Sequence, residues 1–209
     1  MKTMIRVAVI GALLAAGTAR AQSFETYRPR QSLFLINYEM SSALGKFNDF
    51  IGETSWRGMS FESRSMVKER ISAGIGFNFN RFEETKSDVT VSRGSRSTLS
   101  GPVYQYADQL AIKGLVHGYL TEGALKPYLG VGIGGVWSYA YQQSADFSQA
   151  DDGFDFIVSP EVGITWTAAH GASSVGLNLA FRYNYTTADF LSVTDAQSLQ
   201  VIVGLFGAY

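Results

Sequence analysis

The stretch Pro127-Tyr-Leu-Gly-Val-Gly-Ile-Gly-Gly-Val-Trp-Ser-Tyr-Ala-Tyr141 alternates between two kinds of side chain. From Leu129 onward, the odd-numbered positions are large and apolar or aromatic, except for Gly135. The even-numbered positions are mostly Gly, Ser and Ala. Successive side chains of a β-strand point to opposite faces. The alternation therefore predicts a strand with one large apolar face and one small face.

The same period of two recurs along most of the chain. Phe77 and Phe79, for example, alternate with Gly76, Asn78 and Asn80. Helical periodicity is not convincing anywhere after the N-terminal segment, so we predict an all-β fold. The predicted strands, with bounds good to about two to four residues, span about 31–41, 55–65, 69–83, 104–120, 126–142, 154–168, 174–186 and 198–209.

The connections between these strands alternate in length. Four are long, and they cover residues 42–54, 84–103, 143–153 and 187–197. Three are short, and they cover residues 66–68, 121–125 and 169–173. This alternation is typical of outer-membrane barrels, in which short turns face the periplasm and long loops face outside. We therefore predict an eight-stranded antiparallel up-and-down transmembrane β-barrel with both termini at the short-turn end.

Charged residues indicate which face of the strands points inward. Three acidic and three basic residues fall on the small, polar faces: Glu39, Glu62, Arg64, Lys113, Glu161 and Arg182. A cation facing lipid at the bilayer midplane costs about 2–4 kcal/mol, whereas opposite charges inside a closed lumen can pair. His117 lies on the same inward face of its strand. We therefore predict a polar network in the lumen made of these seven residues.

Aromatic residues gather near the ends of the predicted strands. Seven fall near the loop end: Tyr38, Phe79, Trp137, Tyr139, Tyr141, Tyr183 and Tyr185. Three fall near the turn end: Phe61, Trp166 and Tyr209. Amphipathic rings collect where a membrane barrel meets the lipid headgroups, so we interpret these residues as two aromatic girdles. The alternative is the ordinary enrichment of aromatic residues in strands.

The N-terminal segment has the pattern of a secretory signal. Lys2 and Arg6 precede the apolar run 7–16, and Ala19 and Ala21 supply the small residues of a cleavage site. The run is shorter than the roughly 20 residues of a membrane-spanning helix. We predict a signal peptide over 1–21, a barrel domain over 22–209 and export to the bacterial outer membrane.

Composition and charge exclude several classes of function. The chain has 209 residues, no Cys and a formal charge of −1, or −4 (14 basic and 18 acidic residues) after removal of 1–21. These values exclude thiolate metal sites, a cysteine nucleophile and a general nucleic-acid-binding surface. We expect no cofactor, no metal site and no catalytic residue. A His117–Glu161–serine triad and a calcium site among Asp146, Asp151, Asp152 and Asp155 are the weaker alternatives.

The chain resembles the outer-membrane protein β-barrel domain family, the small barrels of the OmpA, OmpX and OmpW kind. Three segments resemble strands of that family: Lys126–Gly134, Ser159–Gly163 and Leu179–Asn184. The last segment, Val201–Tyr209, ends on an aromatic residue, which in that family is read by the barrel-assembly machinery. Gly207 departs from the family's preference for an apolar side chain at that position.

This resemblance covers residues 24–209 and implies an architecture rather than an activity. It implies outer-membrane lipids as neighbours and the barrel-assembly machinery as a partner during biogenesis. We expect a monomer. Arg81, Lys86, Arg93 and Arg96 lie in or beside the second long loop, where they either contact lipopolysaccharide phosphates or only keep the loop solvated.

Four functions remain open, and we rank them as follows. The first is a structural or interaction protein, a closed barrel with a charge-plugged lumen that anchors four external loops. The second is a narrow channel for small or hydrophobic solutes, as in the OmpW kind. The third is a lipid-modifying enzyme, and the fourth is a soluble ligand-binding barrel with its apolar faces inside.

Overall fold

The computed structural model describes residues 32–93, 97–144, 147–168, 174–191 and 193–208. Its strands are β1 (Ser32–Leu44), β2 (Ser55–Lys68), β3 (Ile71–Arg93), β4 (Ser97–Tyr119), β5 (Leu125–Ser144), β6 (Phe147–Thr167), β7 (Ser174–Thr186), β8 (Asp189–Phe190), β9 (Val193–Thr194) and β10 (Gln197–Ala208), and its helix is α1 (Gly45–Phe50). The predicted signal peptide over 1–21 lies outside the described residues.

Eight of the strands close into one antiparallel barrel. Each strand pairs with its neighbour in sequence, and β10 lies between β7 and β1. The closing pair runs from Leu33 opposite Ala208 to Leu44 opposite Gln197 without a break in register. The predicted eight-stranded antiparallel fold is confirmed. The strands β8 and β9 form a separate short hairpin.

Two of the connections predicted as long loops are instead strand extensions. The predicted loops 84–103 and 143–153 are largely paired, because β3 and β4 have 23 residues each, β5 has 20 and β6 has 21. A membrane crossing needs about 9–11 residues. The extensions carry Ser, Thr, Gln and Asp on both faces, so the sequence shows no apolar alternation there. The β3–β4 and β5–β6 hairpins therefore make one wall of the barrel much taller than the other.

The two remaining long connections fold over the loop end of the barrel. The first contains α1, which the sequence analysis missed because six residues are too few to show a helical period. The second contains the β8–β9 hairpin. Both bring apolar side chains into one buried group, the loop-end cluster: Ala43, Phe47, Phe50, Ile51, Phe82, Ala107, Ala140, Ala188, Phe190, Val193 and Ala196, with Leu191 packed against it.

The distribution of polarity is the reverse of that in a soluble barrel. Outward-facing Leu129 and Leu205 are 57% and 65% exposed, while inward-facing Glu39 and Arg64 are fully buried. The outer surface thus carries a continuous apolar band, and the charged side chains of the band's strands point inside. This arrangement is that of a transmembrane barrel. Within the described residues, no helix is long and apolar enough to cross a membrane.

Candidate functional site: the polar core of the barrel

The seven charged or titratable residues predicted for the lumen all point inward. They lie on β1 (Glu39), β2 (Glu62, Arg64), β4 (Lys113, His117), β6 (Glu161) and β7 (Arg182), and none is more than 6% exposed. We call these seven residues the polar core. Its three carboxylates and three cationic side chains give equal numbers of opposite charges, which suits burial because an uncompensated charge inside a protein is costly.

Arg182 makes the most connections in the polar core. Its Nε donates to Glu161 Oε2 at 2.6 Å. Its Nη1 donates to Glu39 Oε1 at 2.9 Å, and its Nη2 donates to Glu62 Oε1 at 2.6 Å. One guanidinium therefore binds carboxylates from three other strands and spans the width of the lumen. Charge-assisted bonds of this kind are about twice as strong as neutral ones.

Arg64 lies beside this group on β2. Its Nε and Nη2 donate to Glu62 Oε2 at 2.8 and 2.5 Å, and Nη2 also lies 3.4 Å from Glu161 Oε1. Its guanidinium carbon lies 5.1 Å from the centre of the Tyr128 ring, within the range of a cation–π contact. Glu62 thus bridges the two arginines and joins them into one network.

Lys113 has a different partner from the one we expected. Its Nζ donates to Ser159 Oγ at 3.2 Å, and Ser159 Oγ in turn donates to Asn184 Oδ1 at 2.7 Å. No carboxylate of the described residues lies within ion-pair distance of this Nζ. The expectation that removing Lys113 would leave a carboxylate unpaired is therefore wrong, because register places Lys113 across the lumen from a hydroxyl.

His117 does not assemble a catalytic triad with described residues. Its Nε2 lies 3.8 Å from Glu161 Oε1, beyond hydrogen-bond distance, and its Nδ1 has no hydrogen-bond partner. Ser72 lies opposite His117 in register, but its buried hydroxyl has no hydrogen-bond partner either. His117 instead packs edge-on against the Tyr128 ring, with ring centres 5.3 Å apart. His170, the second histidine of the chain, lies outside the described residues.

Neutral side chains that the prediction did not include complete the network. Tyr128 OH donates to Glu161 Oε1 at 2.6 Å, and Asn78 and Asn80 donate to Glu39 at 2.7 and 3.3 Å. These residues share the inward parity of the charged ones, so the alternation of the strands was the signal that places them. Their role as partners of particular carboxylates depends on strand register, which the sequence does not give.

Glycines leave room for these long side chains in a narrow lumen. A Cβ on Gly130 would overlap the ring of His117, and one on Gly163 would lie 2.5 Å from Tyr128 Cζ. An eight-stranded barrel is barely wide enough for its own side chains. The small face noted in the sequence therefore holds space for the polar core.

The predicted girdle residues face outward where they are described. Tyr38, Phe79, Trp137, Tyr139, Trp166 and Phe61 are exposed, and Tyr141, Tyr183 and Tyr185 are partly exposed. Tyr209 lies outside the described residues. Two further exposed aromatics, Trp56 at 64% and Phe154 at 70%, were missed because they stand at or beyond the predicted strand ends. The two girdles themselves remain a prediction.

Several charged loop residues are bonded within the chain. Lys86 Nζ donates to the carbonyl oxygens of Asp49 and Phe50 at 2.9 and 3.0 Å and so holds α1 against the tall wall. Asp151 Oδ2 accepts the backbone N–H of Leu191 at 3.0 Å. Asp152 is exposed, Asp146 and Arg96 lie outside the described residues, and the side chain of Arg93 does as well.

The fold and the inward polar core define a class: small eight-stranded barrels of the outer-membrane type. No family model matches the chain, and no curated protein matches it in sequence. Two solved structures are similar to it. One is Ail, the attachment invasion locus protein of Yersinia pestis, in complex with the heparin analogue sucrose octasulfate (12% identity, 87% of this chain and 100% of that chain, TM-score 0.52). The other is Neisserial surface protein A (14% identity, 87% and 98%, TM-score 0.51).

These likenesses concern the fold. At 12% and 14% identity they show that this chain has the barrel architecture of those two proteins. The expected resemblance to small barrels of the OmpA and OmpX kind is thereby confirmed at the level of architecture.

Proposed function

We propose that the chain is an integral outer-membrane protein of the structural or interaction type. In this proposal the polar core closes the lumen to solutes. The closed barrel holds the two tall hairpins, α1 and the β8–β9 hairpin at the outer side of the membrane. Residues 1–21 direct export, and the barrel functions as a monomer that the barrel-assembly machinery inserts among outer-membrane lipids.

The observation that carries this proposal is the bonding of Arg182. Its three nitrogens bind three carboxylates from β1, β2 and β6 at 2.6–2.9 Å. Any solute crossing the lumen would have to break these buried bonds. Removing one partner of such a buried group typically costs about 3–5 kcal/mol, so thermal opening of the network is rare.

Apolar layers on both sides of the polar core support the same proposal. The loop-end cluster lies above it. Below it lies a turn-end cluster made of Tyr119, Tyr128, Ala180 and Ile202, with Met66 packed against it. A pocket of about 40 Å³ at the turn end, lined in part by Tyr119 and Phe206, has room for only a few water molecules.

Ion conductance across planar lipid bilayers tests this proposal. We expect no stable conductance from the purified, folded barrel, and leakage from the variant Arg182→Ala, which opens the centre of the polar core. A matched outward-facing variant, Phe181→Ala, should stay closed. Steady single-channel openings of the unmodified protein would contradict the closed lumen and support the alternative, a narrow channel for small or hydrophobic solutes.

We further propose that the chain is not an enzyme. His117 and Glu161 are buried on the inner face, and His117 lies outside hydrogen-bond reach of Glu161 and has no bonded serine. A lipid substrate in the bilayer would have no path to them. Release of acyl chains from lipid A by the purified barrel, abolished by His117→Ala, would overturn this part of the proposal.

A further inference from the structure

A group of tyrosines lies on the outward face of the tall wall. Tyr104 and Tyr106 on β4 and Tyr139 and Tyr141 on β5 alternate with buried residues and therefore share one face. The Tyr106 ring centre is 5.9 Å from that of Tyr139 and 5.2 Å from that of Tyr141. Tyr104 is 52% exposed. We call these four residues the tyrosine ladder.

The charges around the tyrosine ladder are already paired. Arg81 stacks on Tyr106 with its guanidinium carbon 5.5 Å from the ring centre, and it binds Asp108 through two bonds of 2.6 and 2.5 Å. Next to it, Arg57 binds Glu83 at 2.7 Å. Two cations and two carboxylates leave this surface neutral. Because both guanidinium groups have carboxylate partners, the surface is poorly suited to select a phosphate.

The height of the tyrosine ladder sets what it meets. Tyr139 lies next to Trp137 in the predicted loop-end girdle, opposite Asp108. Tyr106 and Tyr141 are paired two residues farther from the membrane, which is about 7 Å along the strands. The ladder faces sideways, in continuity with the lipid-facing band, and not toward the hairpin tips. Its neighbours in the plane of the membrane are therefore the headgroups of surrounding lipids.

The opposite wall of the barrel lacks such a surface. There β1 and β7 end at Leu44 and Thr186, and the ladder of β7 with β10 begins at Tyr185 opposite Gln197. Tyr183 and Tyr185 face outward at this level, and Tyr183 OH donates to Gln197 Oε1 at 2.9 Å. These two tyrosines have the composition of the ladder without its height. They are a matched control within the same chain.

We infer that the tyrosine ladder binds the sugar rings of glycolipid headgroups in the outer leaflet. Flat, amphipathic rings offer an apolar face to the C–H face of a sugar, and their hydroxyl groups meet sugar hydroxyls. Gln143, whose Oε1 lies 3.1 Å from Tyr141 OH, adds an amide to the surface. This inference rests on the proposed outer-membrane location, and it names the partner of the tall wall.

The test compares two glycolipids that differ only in their sugars. Binding of the folded barrel to lipopolysaccharide with its core oligosaccharide, and to lipid A, is measured by native mass spectrometry. We expect the unmodified protein to prefer the core-bearing form. The variant Tyr106→Ser/Tyr141→Ser should bind the core-bearing form about tenfold more weakly, the scale expected for one or two lost ring contacts, with lipid A binding unchanged.

The control variant Tyr183→Ser/Tyr185→Ser should keep the preference for the core-bearing form. If the serine variant does not fold, Tyr106→Leu/Tyr141→Leu keeps the apolar volume, removes the flat rings and should show the same tenfold loss. Equal binding of both glycolipids by the unmodified protein would overturn the inference. An equal loss of both glycolipids in the ladder variant would also overturn it, since that result indicates recognition of phosphate or acyl chains.

Failure of this inference is distinguishable from failure of the proposed function. A barrel that inserts in membranes and stays closed, but shows no sugar preference, would contradict only the inference about the tyrosine ladder. A protein that does not enter the outer membrane would contradict the proposed function first.

Discussion

The polar core and the loop-end cluster are buried to the same degree inside one barrel, but they are held in different ways. Glu39 and Arg64 are fully buried, and so are Phe47 and Ile51. The polar core is built on barrel strands and ties β1, β2, β6 and β7 together through charge-assisted bonds. The loop-end cluster depends largely on two loops that no barrel strand pairs with. Equal burial therefore predicts unequal coupling to the stability of the whole barrel.

The largest effect is expected in the polar core. Arg182→Ala leaves Glu39, Glu62 and Glu161 without their shared partner and should lower the free energy of unfolding by about 3–5 kcal/mol. Urea titration of the barrel in lipid vesicles measures this. The double variant Arg182→Ala/Glu161→Gln should recover part of the loss, because it removes one of the unpaired charges. An unchanged midpoint would mean that water reaches the polar core.

The lipid face should respond nearly as strongly to an added charge. Leu179→Arg places a cation in the apolar band and should cost about 2–4 kcal/mol. Its neighbour Asn178 faces the lumen, so Asn178→Gln is the control and should insert far better. Folding yield into vesicles, read as the fraction of compact protein on an unboiled gel, compares them. Equal yields would contradict the assignment of inner and outer faces.

A smaller effect is expected where the polar core meets the wall. Gly130→Ala introduces a Cβ into the space of the His117 ring and should cost about 1–3 kcal/mol. His117→Ala in the same chain removes the ring and should restore part of that loss. The two single variants and the double variant, unfolded in urea, give the coupling between these positions. Additive effects would show that the ring moves away freely.

The smallest effect on the whole barrel is expected in the loop-end cluster. Phe190→Ala removes a ring that packs edge-on against Phe47, with ring centres 6.1 Å apart, and it should change global unfolding by less than about 1 kcal/mol. Local opening should increase, so trypsin should cleave faster after Lys46 in α1. A global loss as large as that of Arg182→Ala would show that the loop-end cluster is part of the barrel's cooperative unit.

The sequence predicted those parts of the molecule in which one face meets lipid. Leu177, Leu179 and Phe181 alternate with Asn178 and Arg182, and this contrast exists only where one side is apolar and the other is not. The same contrast predicted the seven members of the polar core. It vanishes above the membrane, where both faces of a strand meet water. The extensions of β3 to β6 were for that reason read as loops.

Partners inside the lumen could not be predicted for a different reason. Parity shows that Lys113 and Ser159 both point inward, but only the paired register across three strands brings them together at 3.2 Å. A register shift of two residues would keep every side chain on its face and change every partner. The helix α1 and the β8–β9 hairpin were missed because six and two residues per element show no period.

The most direct test of this account is the gel mobility of the protein in isolated outer membranes, with and without boiling. The account rests on a barrel whose apolar face is outside and whose charged residues are inside. Folded small barrels resist detergent, so we predict a heat-dependent shift in mobility in the outer-membrane fraction. A soluble periplasmic protein with no heat-dependent shift would contradict the account.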